Sequence, residues 1–180
     1  MLASVLTFTR IYEPAALAPQ VAEVYGSAFS IFRDGPTEQE VRAFSQQTLP
    51  QQADRDAFRF FAALEDDVLV GFIYGFHGRS GEPWEEWIRA RVPAAVYDEW
   101  FVNQFDLTEF CVRADRHGEG IGSRLYETLF AELAQTHFER AVLTTRRVAN
   151  PARDFYLRRG WEVPWEALDN RFSLFGLRLP

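Results

Sequence analysis

Arg116-His117-Gly118-Glu119-Gly120-Ile121-Gly122 is the stretch on which the fold turns. It separates an apolar strand pattern, Phe105–Val112, from a helical one with Ile121, Leu125, Leu129 and Leu133 at four-residue intervals. Glycine lets successive backbone N–H groups approach an anion with no Cβ in the way, and the following helix start adds partial positive charge. Strand, glycine loop and helix together predict a pyrophosphate cradle built from backbone. A dinucleotide fingerprint opens the first βαβ unit and is followed about 20 residues on by an acid for the ribose. Here the loop follows four predicted strands, and the nearest suitable acid, Glu139, precedes the next strand instead of ending it, which argues against that reading.

Outward from the loop, the pattern alternates strands and helices. Val5–Ile11 reads as a first strand, and Pro14 opens a helix with Leu17, Val21, Val24, Tyr25, Ala28 and Phe32 on one face. Thr37 and Glu40 have capping-box spacing for a second helix, whose end Pro50 marks. Phe58–Leu64 and Val68–Phe76 flank Asp66-Asp67 and predict a hairpin. Residues 77–104, broken by glycines and prolines, hold two short amphipathic pieces, Trp84–Arg91 and Ala94–Phe101, and read as an inserted helical excursion. After the loop and its helix come a strand at Ala141–Thr145 and a helix capped by Asn150 with Pro151 at its first position. Gly160 closes that helix, and strands at Trp161–Trp165 and Phe172–Leu179 follow. The expectation is an α/β (α+β) fold, a mixed, mostly antiparallel sheet of six to seven strands flanked by helices, in one domain over residues 1–180.

Composition narrows the chemistry. With 47% hydrophobic and 16% aromatic residues, the 180 residues hold ample material for a packed core. All 19 basic residues are arginine, so a Walker loop lacks its lysine and a pyridoxal Schiff base its amine. Cys111 is the single cysteine, which excludes an internal disulfide and a multi-cysteine zinc site. No metal is predicted. Without a membrane-spanning run or a signal-like start, the chain reads as soluble and cytoplasmic. Net charge is −9 over residues 1–112, +3 over 113–159 and −1 over 160–180. An acidic chain makes a poor nucleic-acid partner, whereas a locally basic glycine loop suits a small polyanion.

Glu109-Phe110-Cys111-Val112-Arg113, continuing through the glycine loop to Ser123-Arg124-Leu125, resembles the strand-loop-helix motif of the GNAT (GCN5-related N-acetyltransferase) superfamily. Asn150-Pro151-Ala152-Arg153-Asp154-Phe155-Tyr156, through Gly160-Trp161, is similar to that family's second signature. The resemblance covers most of residues 5–179 apart from the excursion. It implies the acyl-CoA N-acyltransferase fold and transfer of an acetyl group from acetyl-CoA directly to an amine. It further implies a cofactor site of Cys111, Val112, Arg113, His117, Gly118, Gly120, Ile121, Gly122, Ser123, Asn150 and Arg153. One departure stands out: the family's Arg or Gln falls on His117 here, with Arg116 one position early.

Acetyl transfer needs a base for the amine, a donor for the oxyanion and an acid for the thiolate. The resemblance gives Tyr156 the acid role, and a phenol with pKa about 10 stays protonated at neutral pH; packing is the other reading of this residue. The resemblance makes Glu109 the base position, acting directly or through water; a buried glutamate bonded to neighbouring strands is the other reading of this residue. Asp106, three residues earlier, nominally faces the other side of the sheet. Cys111 has no identifiable supporting histidine and reads as a small core residue, not a nucleophile.

The excursion and the strand after it contain Glu82, Glu85, Glu86, Asp98, Glu99, Asp106 and Glu109, interleaved with Trp84, Trp87, Tyr97 and Trp100. Acids beside aromatic faces favour cations, so the pattern suggests a cationic acceptor such as an aminoglycoside, polyamine or amino sugar. Packing of the two tryptophans is the competing reading. A peptide or protein N-terminus is the alternative acceptor, and a non-catalytic acyl-CoA-binding module the alternative function. The resemblance leaves a homodimer open.

Overall fold

The computed structural model describes residues 4–180, which form two compact units. The first comprises the described residues through Phe76 together with Thr108–Glu132. Its strand β1, Leu6–Ile11, pairs antiparallel with β2, Arg59–Glu65, and β2 with β3, Val68–His77. Glu65 and Val68 are register partners, so Asp66-Asp67 is a two-residue turn, and both residues have positive φ (48° and 67°), as a type I′ hairpin requires.

A 3-10 turn at Pro14–Leu17 leads into α1, Ala18–Phe29. Phe32, expected on that helix's face, lies beyond its end. Thr37 caps α2, Glu38–Ala43: Glu40 N–H donates to the Thr37 hydroxyl at 3.3 Å, and Thr37 N–H to Glu40 Oε2 at 2.7 Å. The helix does not stop at Pro50. It widens into a π-turn at Phe44–Thr48 and continues as α3, Leu49–Ala53. Pro50 falls in the first turn of α3, where a missing N–H costs little.

Val21, Val24, Phe44, Leu49, Phe60, Phe72, Tyr74 and Cys111 share this unit's core. Phe60 stacks on Phe72 at 5.3 Å and on Tyr74 at 5.7 Å. On the helix after the glycine loop, α6, Ile121–Leu133, the four-residue apolar row is buried throughout. Glu132 near its end accepts from Arg59 at 2.8 Å and also pairs with Arg10.

The second unit comprises His77–Leu107 and Leu133–Pro180. The excursion forms α4, Pro83–Arg89, and α5, Ala94–Trp100. Ile88, Trp100, Val142, Leu168 and Leu174 make a core with Trp84 and Trp87 packed against it, so the packing reading of those tryptophans holds. Strand β4, Gln104–Val112, starts in this unit and pairs parallel with β5, Arg140–Arg146, over Gln104–Asp106. After α7, Pro151–Leu157, come β6, Glu162–Trp165, and β7, Phe172–Arg178. Strand β7 pairs antiparallel with both β5 and β6. The seven strands are ordered β1-β2-β3-β4-β5-β7-β6, a mixed sheet flanked by helices, as expected from the sequence. No described helix is long and apolar enough to cross a membrane.

Candidate active site

The second half of β4 carries two surfaces because successive side chains point to opposite faces. Phe110 and Val112 lie near Gly122 in the first turn of α6. Glu109 and Cys111 face the other way, and the Cys111 thiol donates to Glu109 Oε1 at 3.6 Å. Cys111 is buried in the core with Phe72 and Tyr74. Burial and the neighbouring Glu109 push its thiol well above the ordinary value, so it carries no thiolate at neutral pH.

Glu109 opens into a cavity of about 460 Å³ whose wall includes Tyr25, Glu40, Phe44, Thr48, Gln52 and Tyr74. Half-buried among these groups, the carboxyl is pushed up to about 7, chiefly by desolvation; hydrogen bonds from the Cys111 thiol and the Phe110 backbone pull the other way. A base poised near neutrality has matched proton affinity and availability. Tyr25 and Tyr74 are raised by burial and by Glu109's charge, so both phenols stay protonated. Tyr74 donates to Gln52 Oε1 at 2.6 Å, and Tyr25 stacks on Phe44 at 4.1 Å with 18° between planes. Glu40 is held below the usual carboxylate range by hydrogen bonds from Thr37 and remains ionised.

None of this wall beyond Glu109 stands out in the sequence as a site. Tyr25 and Phe44 read as core, and Glu40 as half of a capping box. The available signal was the spacing Glu40, Phe44, Thr48, Gln52, four residues apart along one helical run.

Beyond β4 the chain makes a 3-10 turn at Ala114–Arg116 and enters the glycine loop. Gly118 and Gly120 have φ of +85° and +79°, in the left-handed region that glycine adopts without penalty. Among the described residues, no backbone carbonyl accepts from the N–H groups of Gly118, Glu119, Gly120, Ile121 or Gly122. An anion-sized set of donors is thus left at the start of α6. That is the donor arrangement a pyrophosphate requires.

The charged residues beside the loop have other engagements. Arg116 donates to Glu65 Oε2 at 2.8 Å and to Glu119 at 2.8–2.9 Å, and Arg113 forms a two-pronged pair with Asp115. The exposed His117 ring lies with Nε2 2.9 Å from the Val112 carbonyl, which only a donor nitrogen satisfies.

The remaining sequence-predicted residues belong to the second unit. Asn150 caps α7, its side-chain oxygen accepting from Arg153 N–H at 3.0 Å and its amide donating to Val148 O at 2.8 Å. Arg153 pairs with Glu166 at 3.1 Å and lies over the Phe175 ring. Tyr156 is buried against Trp161 and Phe175.

The acidic-aromatic pattern of the excursion resolves into internal pairs. Glu85 is buried and accepts from the Tyr97 hydroxyl, Glu86 pairs with Arg89, and Glu99 pairs with Arg178. Of the acids in that pattern, Glu109 lines the cavity, together with Glu40.

The family model described as the acetyltransferase (GNAT) family matches residues 21–161. The chain belongs to the GNAT acetyltransferases. Solved GNAT-fold structures are similar across nearly the whole chain. A GNAT-family protein of Desulfovibrio desulfuricans is 18% identical, with a TM-score of 0.69 over 98% of this chain and 100% of its own. The PaiA N-acetyltransferase of Thermoplasma acidophilum, in complex with coenzyme A, is 14% identical (TM-score 0.66; 96% and 99% covered). An aminoglycoside 6'-acetyltransferase type Ii is 17% identical (TM-score 0.66; 98% of both chains). At these identities the likeness is one of fold. No curated protein sequence matches. Within the GNAT chain, the glycine loop and the cavity over Glu109 lie in the same unit, joined by the last residues of β4.

Proposed function

We propose that this GNAT enzyme transfers the acetyl group of acetyl-CoA to a cationic small-molecule amine, with Glu109 as the base. The observation that carries this reading is the Glu109 carboxyl, poised at about 7 in an aromatic-walled cavity on the strand that leads into the glycine loop. Coenzyme A in the Thermoplasma acidophilum neighbour supports the choice of donor.

Acetyl-CoA would supply an activated acyl carbon and a thiolate leaving group. The N–H groups of Gly118, Gly120, Ile121 and Gly122 would hold its pyrophosphate, with Ser123, Arg113 and His117 alongside. The backbone of Cys111 and Val112 is assigned to the acyl arm, and Asn150 and Arg153 to its flank. Glu109 pairs with the incoming ammonium and takes one proton from it, leaving the nitrogen lone pair free to attack. The N–C bond forms as the C–S bond breaks, and the Tyr156 hydroxyl gives its proton to the departing sulfur. The acetylated nitrogen loses its second proton to solvent, and the proton on Glu109 returns through solvent to the Tyr156 phenolate, so one proton is released per turnover and the protein is unchanged.

Mass spectrometry of products and CoA-thiol release against an amine panel tests this. Acetylated amine in step with free CoA, lost in Tyr156→Phe at unchanged fold, is the expected result. Stabilisation by acetyl-CoA without turnover of any amine would leave a binding module, and acetylation confined to peptide N-termini would replace the acceptor.

A further inference from the structure

We propose that the cavity over Glu109 takes a primary amine bearing a single positive charge on a flat aromatic body, and disfavours polycations. The inference rests on the acetyltransferase reading and specifies its acceptor.

Charge sets the first limit. A buried ammonium needs a carboxylate or several acceptors close by, and each further ammonium needs its own. The acids lining the cavity are Glu109 and Glu40. Glu109 serves the reacting amine; Glu40 is exposed and its Oε2 already accepts from both the N–H and the hydroxyl of Thr37, at 2.7 and 2.8 Å, so solvent screens a pair formed there and it contributes little.

Gln52 adds a second limit. Its Oε1 accepts the buried Tyr74 hydroxyl, which fixes the amide so that its NH2 group is the part left to the cavity. A second ammonium placed there meets donors, an unpaired arrangement that discriminates against it.

Three aromatic rings, Tyr25, Phe44 and Tyr74, line the rest of the wall beside Pro36, Ala43, Thr48 and Thr108. Tyr25 and Phe44 stack face to face at 4.1 Å, and Phe44 lies 6.4 Å from Tyr74 at 27°. A flat ring on the ligand extends such a row at offset-stacking distance, and the ammonium gains from the same ring faces. The volume, about 460 Å³, suits one ring with a short amine arm and is small for a multi-ring sugar.

Steady-state kinetics with acetyl-CoA and four acceptors test this: 2-phenylethylamine, spermidine, kanamycin and a tripeptide with a free N-terminus. The expected kcat/KM for 2-phenylethylamine exceeds each of the others by about tenfold or more. Tyr25→Leu, with fold checked by melting temperature, raises KM for 2-phenylethylamine about three- to tenfold at unchanged kcat, and Tyr25→Phe restores it. Equal or better turnover of spermidine, kanamycin or the tripeptide overturns the inference and leaves the acetyltransferase reading intact. Failure to acetylate any amine, with no CoA release, overturns both.

Discussion

The cavity over Glu109 and the helical excursion of α4 and α5 share one sequence signature, carboxylates set among aromatic rings, yet the fold uses them in opposite ways. In the excursion, Glu85, Glu86 and Glu99 each meet a partner from their own unit, while Trp84, Trp87 and Trp100 are packing. In the cavity, Glu109 has a thiol and a backbone group for company and, among the described residues, no cation, so desolvation dominates and its proton affinity climbs. Composition alone does not distinguish a cation site from a braced surface. The discriminating fact is whether a partner already stands within hydrogen-bond reach.

Substitutions can break this contrast. The largest effect is expected for Glu109→Gln, which lowers kcat/KM for amine acetylation by about 10²–10⁴-fold. Because the folded carboxyl is raised from the ordinary 4.5 to about 7, wild-type kcat/KM climbs as pH passes through about 7; the variant profile loses that rise. The same shift sets a stability sign. Between about 4.5 and 7 the folded state holds a proton that the unfolded chain releases, so wild-type stability falls as pH rises through that window. Scanning calorimetry of Glu109→Gln is expected to show a gain in Tm above pH 7 and none below 4.5.

Trp100→Ala comes next, removing a ring that is 3% exposed and costing about 3–5 kcal/mol in denaturant unfolding. Glu85→Ala deprives the Tyr97 hydroxyl of its acceptor and costs about 1–3 kcal/mol, with acceptor KM unchanged. Smallest is Glu99→Ala, which opens an exposed pair with Arg178 for about 0–1 kcal/mol and leaves turnover untouched. A drop in kcat/KM for cationic amines in the Glu85 or Glu99 variants, at unchanged stability, would move the acceptor wall back to the excursion.

What was legible in the sequence was carried by local chemistry. The Asp66-Asp67 turn, the Thr37 capping box, the Asn150 cap and the glycines of the loop each satisfy a backbone need within a few residues, and each is found where its pattern placed it. Glu109 was visible through the resemblance, and its contrast with Asp106 through strand alternation. The cavity was not visible, because its wall gathers α1, α2, the π-turn, α3, β3 and β4 from widely separated stretches. The interior of the 38–53 helix was misread for a related reason. Pro50 signals a helix end from its missing N–H, but the wider turn before it makes Pro50 a beginning.

That wider turn governs alignment as well as length. In an unbroken α-helix, every fourth residue overshoots a full revolution by about 40°, so three such steps carry a side chain about 120° around the axis. Glu40, Phe44, Thr48 and Gln52 are three steps apart and still line one cavity, because the π-turn at Phe44–Thr48 winds back part of that drift. The wall is therefore a matter of phase. Deleting one residue between 44 and 48 leaves Gln52 eleven positions after Glu40, about 20° past three full revolutions, so a plain α-helix one residue shorter keeps the same row, whereas one more residue swings Gln52 off it. The segment encodes its binding surface in how many residues it has, as much as in which ones.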